Sequence, residues 1–150
     1  MSSNLSSLHT LDLTDNDLPT VPIAMHSLNS LKHLSLAANS INILTNTSLL
    51  GVANHLEELD VTELPLKVFE TGALNKMIYL NTLKIGVYNN VKNFNIPRII
   101  ECNFGLKRLE IEVEKDTDLG VELSGKLPPK LRSMRITGPI LKDLDPAILQ

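Results

Sequence analysis

Aromatic side chains and cysteine are scarce in this chain of 150 residues, which has 3% aromatic residues, no tryptophan and one cysteine. The single cysteine, Cys102, excludes a disulfide within the chain, and its position beside Ile99 and Ile100 predicts a buried free thiol. No residue near Cys102 in the sequence supplies an activating base, so a catalytic thiol is not expected. Because 43% of the residues are nevertheless hydrophobic, we expect a core of stacked aliphatic side chains rather than of large rings.

Sequence features of membrane insertion, nucleic-acid binding and catalysis are also missing. No apolar run approaches the roughly 20 residues of a transmembrane helix, and the first residues lack the apolar stretch of about 7–15 residues that is typical of a signal peptide. The formal net charge is −3 and the pI about 5.8, which does not indicate a nucleic-acid partner. No phosphate-binding glycine loop and no paired nucleophile and base can be recognised. We therefore predict no enzyme, no cofactor and no direct membrane insertion by this segment.

The chain is organised instead by a phrase that occurs six times, with aliphatic residues at its first, fourth and sixth places. Two copies continue with asparagine at the ninth place, as Leu8-x-x-Leu11-x-Leu13-x-x-Asn16-x-Leu18-x-x-Val21 and Leu31-x-x-Leu34-x-Leu36-x-x-Asn39-x-Ile41-x-x-Leu44. The six copies begin at Leu8, Leu31, Leu56, Leu80, Leu106 and Leu131. Their starts are 23, 25, 24, 26 and 25 residues apart, within the range of about 20–29 residues that is typical of leucine-rich repeats.

Each phrase predicts a short strand at its third to eighth places. Side chains alternate between the two faces of a strand, so the fourth and sixth residues should point inward and the third, fifth and seventh outward. Successive strands should then lie parallel, about 4.8 Å apart. The second half of each repeat should return the chain along the outside through turns, 3₁₀ segments or short helices. Its apolar residues should close the core from that side: Met25, Leu28, Leu49, Val52, Leu74, Met77, Ile96 and Ile99.

On these motifs the chain resembles the leucine-rich-repeat family. The resemblance implies an α/β solenoid, a right-handed superhelix forming a horseshoe segment, with a parallel β-sheet on its concave face. The first two copies, with Pro22 after Val21 and Met25 where phenylalanine is usual, resemble the typical class of about 24 residues found mostly in extracellular proteins. The ending, Leu127-Pro-Pro-Lys-Leu131 with Leu141-x-x-Leu144, resembles arthropod cell-surface repeat proteins such as chaoptin and Toll-like receptors.

In this family, the asparagine at the place of Asn16 and Asn39 bonds backbone groups that the turn after the strand leaves unpaired. The later copies have Leu64, Tyr88, Glu114 and Pro139 at this place. We therefore expect the asparagine ladder to stop after the second repeat. The later turns should be less regular, with insertions in the fourth and fifth repeats.

The whole of 1–150 is interpreted as one array of six repeats, starting near 8, 31, 56, 80, 106 and 131. A solenoid needs caps to cover the core of its terminal repeats, and extracellular members usually cap with cysteine clusters, which this sequence lacks. We expect the chain to be a fragment of a longer array without its caps. A complete small protein with polar ends is the alternative.

The outward strand positions, counted with the flanking places as the second, third, fifth, seventh and eighth of each repeat, form the predicted binding surface. In the first three repeats, these positions hold six acidic residues and one basic residue, with histidine counted as neutral, a net charge of −5. In the last three repeats they hold five basic and two acidic residues, a net charge of +3. Candidates for partner contact are Asp12, His33, Glu58, Asp60, Lys84, Arg108, Glu110 and Arg135. The surface has no aromatic anchors of the kind that usually dominate tight interfaces.

Two interpretations of these charges remain open. A partner with the opposite charge pattern could be steered onto the surface. Alternatively, Asp60, Lys84, Glu110 and Arg135 alternate in sign on neighbouring strands and could form a ladder of exposed pairs, each contributing about 0–1 kcal/mol. The acidic cluster of Glu57, Glu58, Asp60 and Glu63 is less self-compensated, which makes it the better contact candidate.

Two weaker site hypotheses arise from histidine and asparagine. His9 and His33 could approach each other on adjacent strands, but two ligands without a third are weak evidence of metal binding, and no metal is predicted. Glycosylation sequons begin at Asn4 and Asn46. Asn46 should lie on the outer turn of the second repeat, where a glycan would fit, so it is our glycosylation candidate.

The resemblance favours a protein–protein recognition module of a cell-surface or extracellular receptor or adhesion protein. Its protein partner, a ligand or receptor of unknown identity, would bind along the concave sheet face. An intracellular scaffold, regulatory subunit or substrate adaptor, located in the cytoplasm, is the alternative, and the single cysteine would suit it.

Overall fold

A computed structural model describes residues 5–114, 117–138 and 141–144. Its strands, in chain order, are β1 (Thr10–Asp12), β2 (His33–Ser35), β3 (Ile43–Leu44), β4 (Glu58–Asp60), β5 (Val68–Phe69), β6 (Thr82–Gly86), β7 (Arg108–Glu112), β8 (Thr117–Leu119), β9 (Ser133–Thr137) and β10 (Leu141–Leu144). The short helices are α1 (Leu50–Ala53) and α2 (Ile96–Ile99), and 3₁₀ turns span Leu5–Ser7, Ile23–Ser27 and Val121–Leu123.

One strand from each phrase enters a six-stranded sheet in the order β1-β2-β4-β6-β7-β9, and every neighbouring pair is parallel. The fourth places stand in register across the sheet. In the first four strands these are Leu11, Leu34, Leu59 and Leu83. In-phase stacking follows from the period-two alternation, because a slip of one residue would turn every leucine outward. The predicted leucine-rich-repeat solenoid is confirmed.

Side chains at the fourth and sixth places form the core. In the second to fifth repeats they are almost completely buried, as Leu36, Val61, Ile85 and Ile111 illustrate, with exposures of 0%. In the first and sixth repeats these positions are half-buried, since among the described residues each has a neighbouring strand on one side only. The core is therefore a continuous aliphatic stack along the array.

The outer side closes the core as the pattern predicted. Met25, Leu28, Leu49, Val52, Leu74, Met77, Ile96 and Ile99 are all buried. Two small parallel ladders, β3 with β5 and β8 with β10, join neighbouring repeats on this side. Cys102 is only half-buried, so the prediction of a buried thiol is wrong. No helix within the described ranges is long and apolar enough to cross a bilayer.

Asn39 performs the role predicted for the asparagine of the phrase. Its Oδ1 accepts hydrogen bonds from the backbone N–H groups of Asn16 at 2.9 Å and Leu18 at 3.0 Å. Its Nδ2 donates to the carbonyl oxygens of Leu13, Leu36 and Ala37. One amide thus satisfies five backbone groups in two repeats.

The hydrogen-bonding role does not end where the asparagine ends. Tyr88, at the ninth place of the fourth repeat, donates its hydroxyl to the carbonyl of Val61 and accepts from the N–H of Gly86. Asn39 bonds the corresponding carbonyl of Leu13. Tyr88 therefore takes the place of the asparagine between the third and fourth repeats. Gly86 makes room for the ring, because a Cβ there would stand 3.1 Å from the ring carbon Cε1.

The turns change after the third repeat rather than after the second. Asp15, Ala38 and Glu63, at the eighth places of the first three repeats, have positive φ angles of 59°, 55° and 54°. Val87 and Val113, at the same place in the next two repeats, are not among the described residues with positive φ. Strands in the first three repeats have 3 residues, whereas those in the last three have 5. Pro139, at the ninth place of the sixth repeat, lies outside the described residues.

Candidate functional site

The sheet face consists of the outward side chains of β1, β2, β4, β6, β7 and β9. The parallel register places Asp12, Ser35, Asp60, Lys84, Glu110 and Arg135 in one column across it. His33 and Glu58 stand opposite each other in the adjacent column, which continues through Thr82 to Arg108. All eight predicted contact candidates therefore belong to one face. A shallow groove over the first four strands includes Asp12, His33, Ser35, Glu58, Asp60 and Lys84.

Asp12 and Asp60 are each held by a threonine two residues later. Asp12 Oδ1 accepts from Thr14 N at 3.0 Å and from Thr14 Oγ1 at 2.5 Å. Asp60 Oδ1 accepts from Thr62 N at 3.0 Å and Oγ1 at 2.7 Å. The hydroxyl and backbone bonds from Thr14 hold the pKa of Asp12 below its ordinary value of 3.8. Asp-x-Thr at the fifth to seventh places was visible in the sequence and could have identified these fixed carboxylates.

The acidic cluster is more compensated than the sequence indicated. Glu57 lies 3.6 Å from Lys32 Nζ, and Glu58 Oε2 lies 3.1 Å from His33 Nδ1. Glu57 has this partner because the register brings the second place of each repeat beside its equivalent. The role of the less self-compensated cluster in partner contact stays a prediction. Glu58 gains a full ion pair only when His33 is protonated.

The alternating column is continuous over its last three strands. Glu110 Oε2 lies 3.6 Å from Lys84 Nζ, and its Oε1 lies 3.8 Å from Arg135 Nη1. Asp60 stands beside Lys84 in register, but its hydrogen bonds go to Thr62. Arg108 is exposed and has no ion-pair partner among the described residues. The ladder thus engages Lys84, Glu110 and Arg135, whereas Arg108 remains available.

A pair of carboxylates that the sequence did not indicate lies at the end of the strands. Glu63 and Glu112 come from the third and fifth repeats, and Gly86 of the fourth repeat shares their surface depression. Glu63 lies close enough to Glu112 for its charge and a side-chain hydrogen bond to act on the Glu112 carboxyl group. Burial raises the pKa of Glu112, and the charges of Glu63 and Asp60 raise it further.

Histidine does not assemble a recognisable metal site. His33 faces Glu58, and the backbone carbonyl of His9 accepts from Lys32 and His33. No group of three or more histidine, cysteine, aspartate or glutamate residues in the described part of the chain is arranged to hold a metal ion.

Asn46 lies on an exposed turn after β3. Its backbone N–H donates to Glu70 Oε1 at 2.8 Å, and its side-chain amide lies against Gly72, where a Cβ would meet Oδ1 at 2.7 Å. Ser48, the last residue of this sequon, accepts from Thr45 N at 2.9 Å. Glycosylation at Asn46 stays a prediction, and Asn4 lies outside the described residues.

The register, the aliphatic core and the charged sheet face define a leucine-rich-repeat array. Over its whole length the chain is similar to chaoptin of Tribolium castaneum, with 53% identity over 151 residues, and to chaoptin of Drosophila melanogaster, with 32% over 173 residues. It spans 19% and 13% of the length of these two proteins. No family model matches the chain.

Solved structures support the fold independently. A chain of the Drosophila Toll–Spatzle complex superposes with a TM-score of 0.69 and 14% identity, covering 96% of this chain and 19% of that one. A chain of the mouse RP105/MD-1 complex gives a TM-score of 0.62 and 20% identity, covering 89% of this chain and 23% of that one. At these identities the likeness concerns the solenoid architecture.

Proposed function

We propose that this chain is a protein-recognition segment of an extracellular or cell-surface receptor or adhesion protein. The observation that carries this proposal is the sheet face, where eight charged or titratable candidates stand in register on a rigid parallel scaffold. The similarity to two chaoptins, which extends over the whole of this chain, supports an extracellular setting. The partner is a protein, because an extended surface without a deep pocket offers area and charge rather than enclosure of a small molecule.

The shallow groove over the first four strands of the sheet contains the carboxylates of Asp12, Glu58 and Asp60 and is called the acidic groove. It is the part of the sheet face that receives the partner. Asp12 and Asp60 are oriented by their threonines but lack a basic partner among the described residues. A basic side chain of the partner can therefore pair with carboxylates that are already positioned. Along the ladder, Lys84, Glu110 and Arg135 mainly compensate one another and contribute less to recognition.

Charge reversal in this groove tests the proposal. The chain is screened against a panel of purified extracellular domains, and the binders are measured again with Glu58→Lys/Asp60→Lys. We expect affinity to fall at least about tenfold, or about 1.4 kcal/mol, with a changed dependence on salt because oppositely charged contacts are lost. Glu122→Lys, on the outer side, is the control. Unchanged binding by the double variant would remove the acidic groove from the recognition surface.

Glycosylation tests the proposed compartment separately. The secreted chain should carry a glycan that Asn46→Gln removes and Ser48→Thr retains, as measured by mass before and after enzymatic deglycosylation. A well-folded secreted protein with an unmodified Asn46 would count against the extracellular assignment.

A further inference from the structure

We propose that a second interaction surface lies along the edge of the array that precedes the strands of the last three repeats, and that it takes an acidic protein segment bearing apolar side chains. This pre-strand edge comprises residues 76–79, 98–107 and 124–132. It is separate from the acidic groove of the sheet face.

The few aromatic side chains divide between the core and the pre-strand edge. Phe69, Tyr88 and Phe94 pack together in the core, with ring centroids 5.2–6.1 Å apart. The other two, Tyr79 and Phe104, are 61% and 65% exposed. They come from adjacent repeats, and both lie on the pre-strand edge. Aromatic anchors, absent from the sheet face, are therefore present here.

The exposed apolar residues form a contiguous surface. A Cβ on Gly105 would stand 3.8 Å from the carbonyl oxygens of Ile78 and Leu80, so the segment carrying Phe104 stacks on the segment carrying Tyr79. Ile78, next to Tyr79, is 62% exposed. Scattered exposed apolar residues need no explanation, but neighbouring ones indicate an interaction site.

An apolar groove continues this surface into the second half of the fifth repeat. Phe104 shares the groove with Pro97, Leu127, Pro128 and Pro129. The prolines and the short turns around them give the groove a fixed backbone, since proline locks φ. A side chain of a partner could enter here without ordering a flexible loop, which lowers the entropic cost of binding.

The charge of the edge determines the chemistry of the partner. Six basic residues and one acidic residue, Glu101, lie in these three ranges, a net charge of +5 in a chain whose total is −3. The basic residues are Lys76, Arg98, Lys107, Lys126, Lys130 and Arg132. All six are exposed, and none has an ion-pair partner among the described residues. Acidic side chains in the partner would relieve this excess.

The apolar groove and the positive charge of the edge together favour a protein segment over a simple polyanion. A sulfated polysaccharide would satisfy the positive charge but would leave the apolar groove unused. A purely apolar segment would leave the six basic groups without counter-charges. An acidic segment with aromatic or aliphatic side chains matches both.

Defined peptides test the proposal on the intact chain. The first alternates Asp and Glu with Phe and Leu, the second replaces each acid by its amide, and the third replaces each apolar residue by Ser. Heparin is the fourth probe. We expect the first peptide to bind at least about tenfold more tightly than the second and third, a difference of about 1.4 kcal/mol, and heparin to bind more weakly.

Variants locate the binding. Phe104→Ser and Lys126→Glu should each weaken binding of the first peptide at least fivefold, and Lys126→Glu should also reduce its salt dependence. Ile23→Ser and Lys92→Glu are matched controls, since Ile23 is 84% exposed on another part of the surface and Lys92 is an exposed base beyond the strand ends. Circular dichroism checks that all variants keep their fold.

Three results would overturn the proposal. The peptides could bind equally, or the edge variants could bind normally. Heparin could bind more tightly than any peptide, and its binding could be lost in Lys126→Glu but kept in Phe104→Ser. That result would make the edge a polyanion site. The variant Glu58→Lys/Asp60→Lys should keep peptide binding, so failure here and failure of the sheet-face proposal remain distinguishable.

Discussion

Asn39 and Asn16 occupy the same place in successive phrases but have different energetic weight. Asn39 is 6% exposed and bonds five backbone groups. Asn16 is exposed, and its side chain donates one bond to the carbonyl of Thr14 at 3.1 Å. Asn39 therefore cross-links two repeats, because its amide reaches back to the backbone of the preceding one, whereas Asn16 makes only a local bond.

Replacing these two asparagines separates the roles. Asn39→Ala should lower the free energy of unfolding by about 2–4 kcal/mol, because buried backbone groups lose their partners. Asn16→Ala should lower it by less than about 1 kcal/mol, because water can replace its bond. Urea denaturation of both variants measures the difference. Equal losses would mean that the Asn39 network does not control stability.

At the scale of the element, the fourth repeat keeps the hydrogen bond of the phrase with different chemistry. The Tyr88 hydroxyl reaches the carbonyl of Val61, while its ring packs on Phe69 and Phe94. Burial raises the pKa of Tyr88 well above its ordinary value of 10.0. The phenol therefore stays neutral and remains a donor throughout the physiological pH range.

Tyr88→Phe isolates the contribution of the hydroxyl. The ring cluster is retained, but the Val61 carbonyl and the Gly86 N–H lose their partner. We expect the free energy of unfolding to fall by about 1–3 kcal/mol. Tyr79→Phe, which changes an exposed tyrosine, should have almost no effect. If both variants unfolded at the same urea concentration, Tyr88 would contribute through its ring alone.

These elements also show what sequence could and could not predict. The in-phase strands and the outer core followed from residue periodicity, because a one-residue slip would expose every leucine. The sequence placed Tyr88, like Leu64, beyond the end of the asparagine ladder, since asparagine was the expected donor. Finding its bond requires knowing that Gly86 leaves space for the ring. Glu63 and Glu112 are 49 positions apart in the sequence, and the stacking of the third, fourth and fifth repeats places them in one surface depression.

Over the whole molecule, charge varies in two directions. The sheet face changes from net negative to net positive along the array, as the sequence indicated. It also varies across the strands, because the pre-strand edge of the last three repeats is basic, whereas Glu63, Glu112 and Glu114 gather at the opposite ends of the strands. A partner can therefore distinguish both the direction of the array and the direction of its strands.

The Glu63–Glu112 pair should make stability depend on pH. Burial and the charges of Glu63 and Asp60 raise the pKa of Glu112 above its ordinary value of 4.5. A raised folded-state pKa contributes stability that is fully present below pH 4.5 and is lost as the pH rises through the raised value. Glu112→Gln removes this dependence because glutamine does not ionise. It should therefore become more stable relative to the wild type as the pH rises from 4 to 7.

Urea unfolding across this pH range measures the effect, and Glu101→Gln is the control, since Glu101 is an exposed carboxylate outside the pair. Lys84, two places before Gly86 on β6, has its ammonium engaged by Glu110 at 3.6 Å, and the phenol of Tyr88, which lines the same depression as the pair, stays neutral. Neither cancels the repulsion between the carboxylates. A constant difference between wild type and Glu112→Gln over the whole range would show that the two carboxylates are independently solvated.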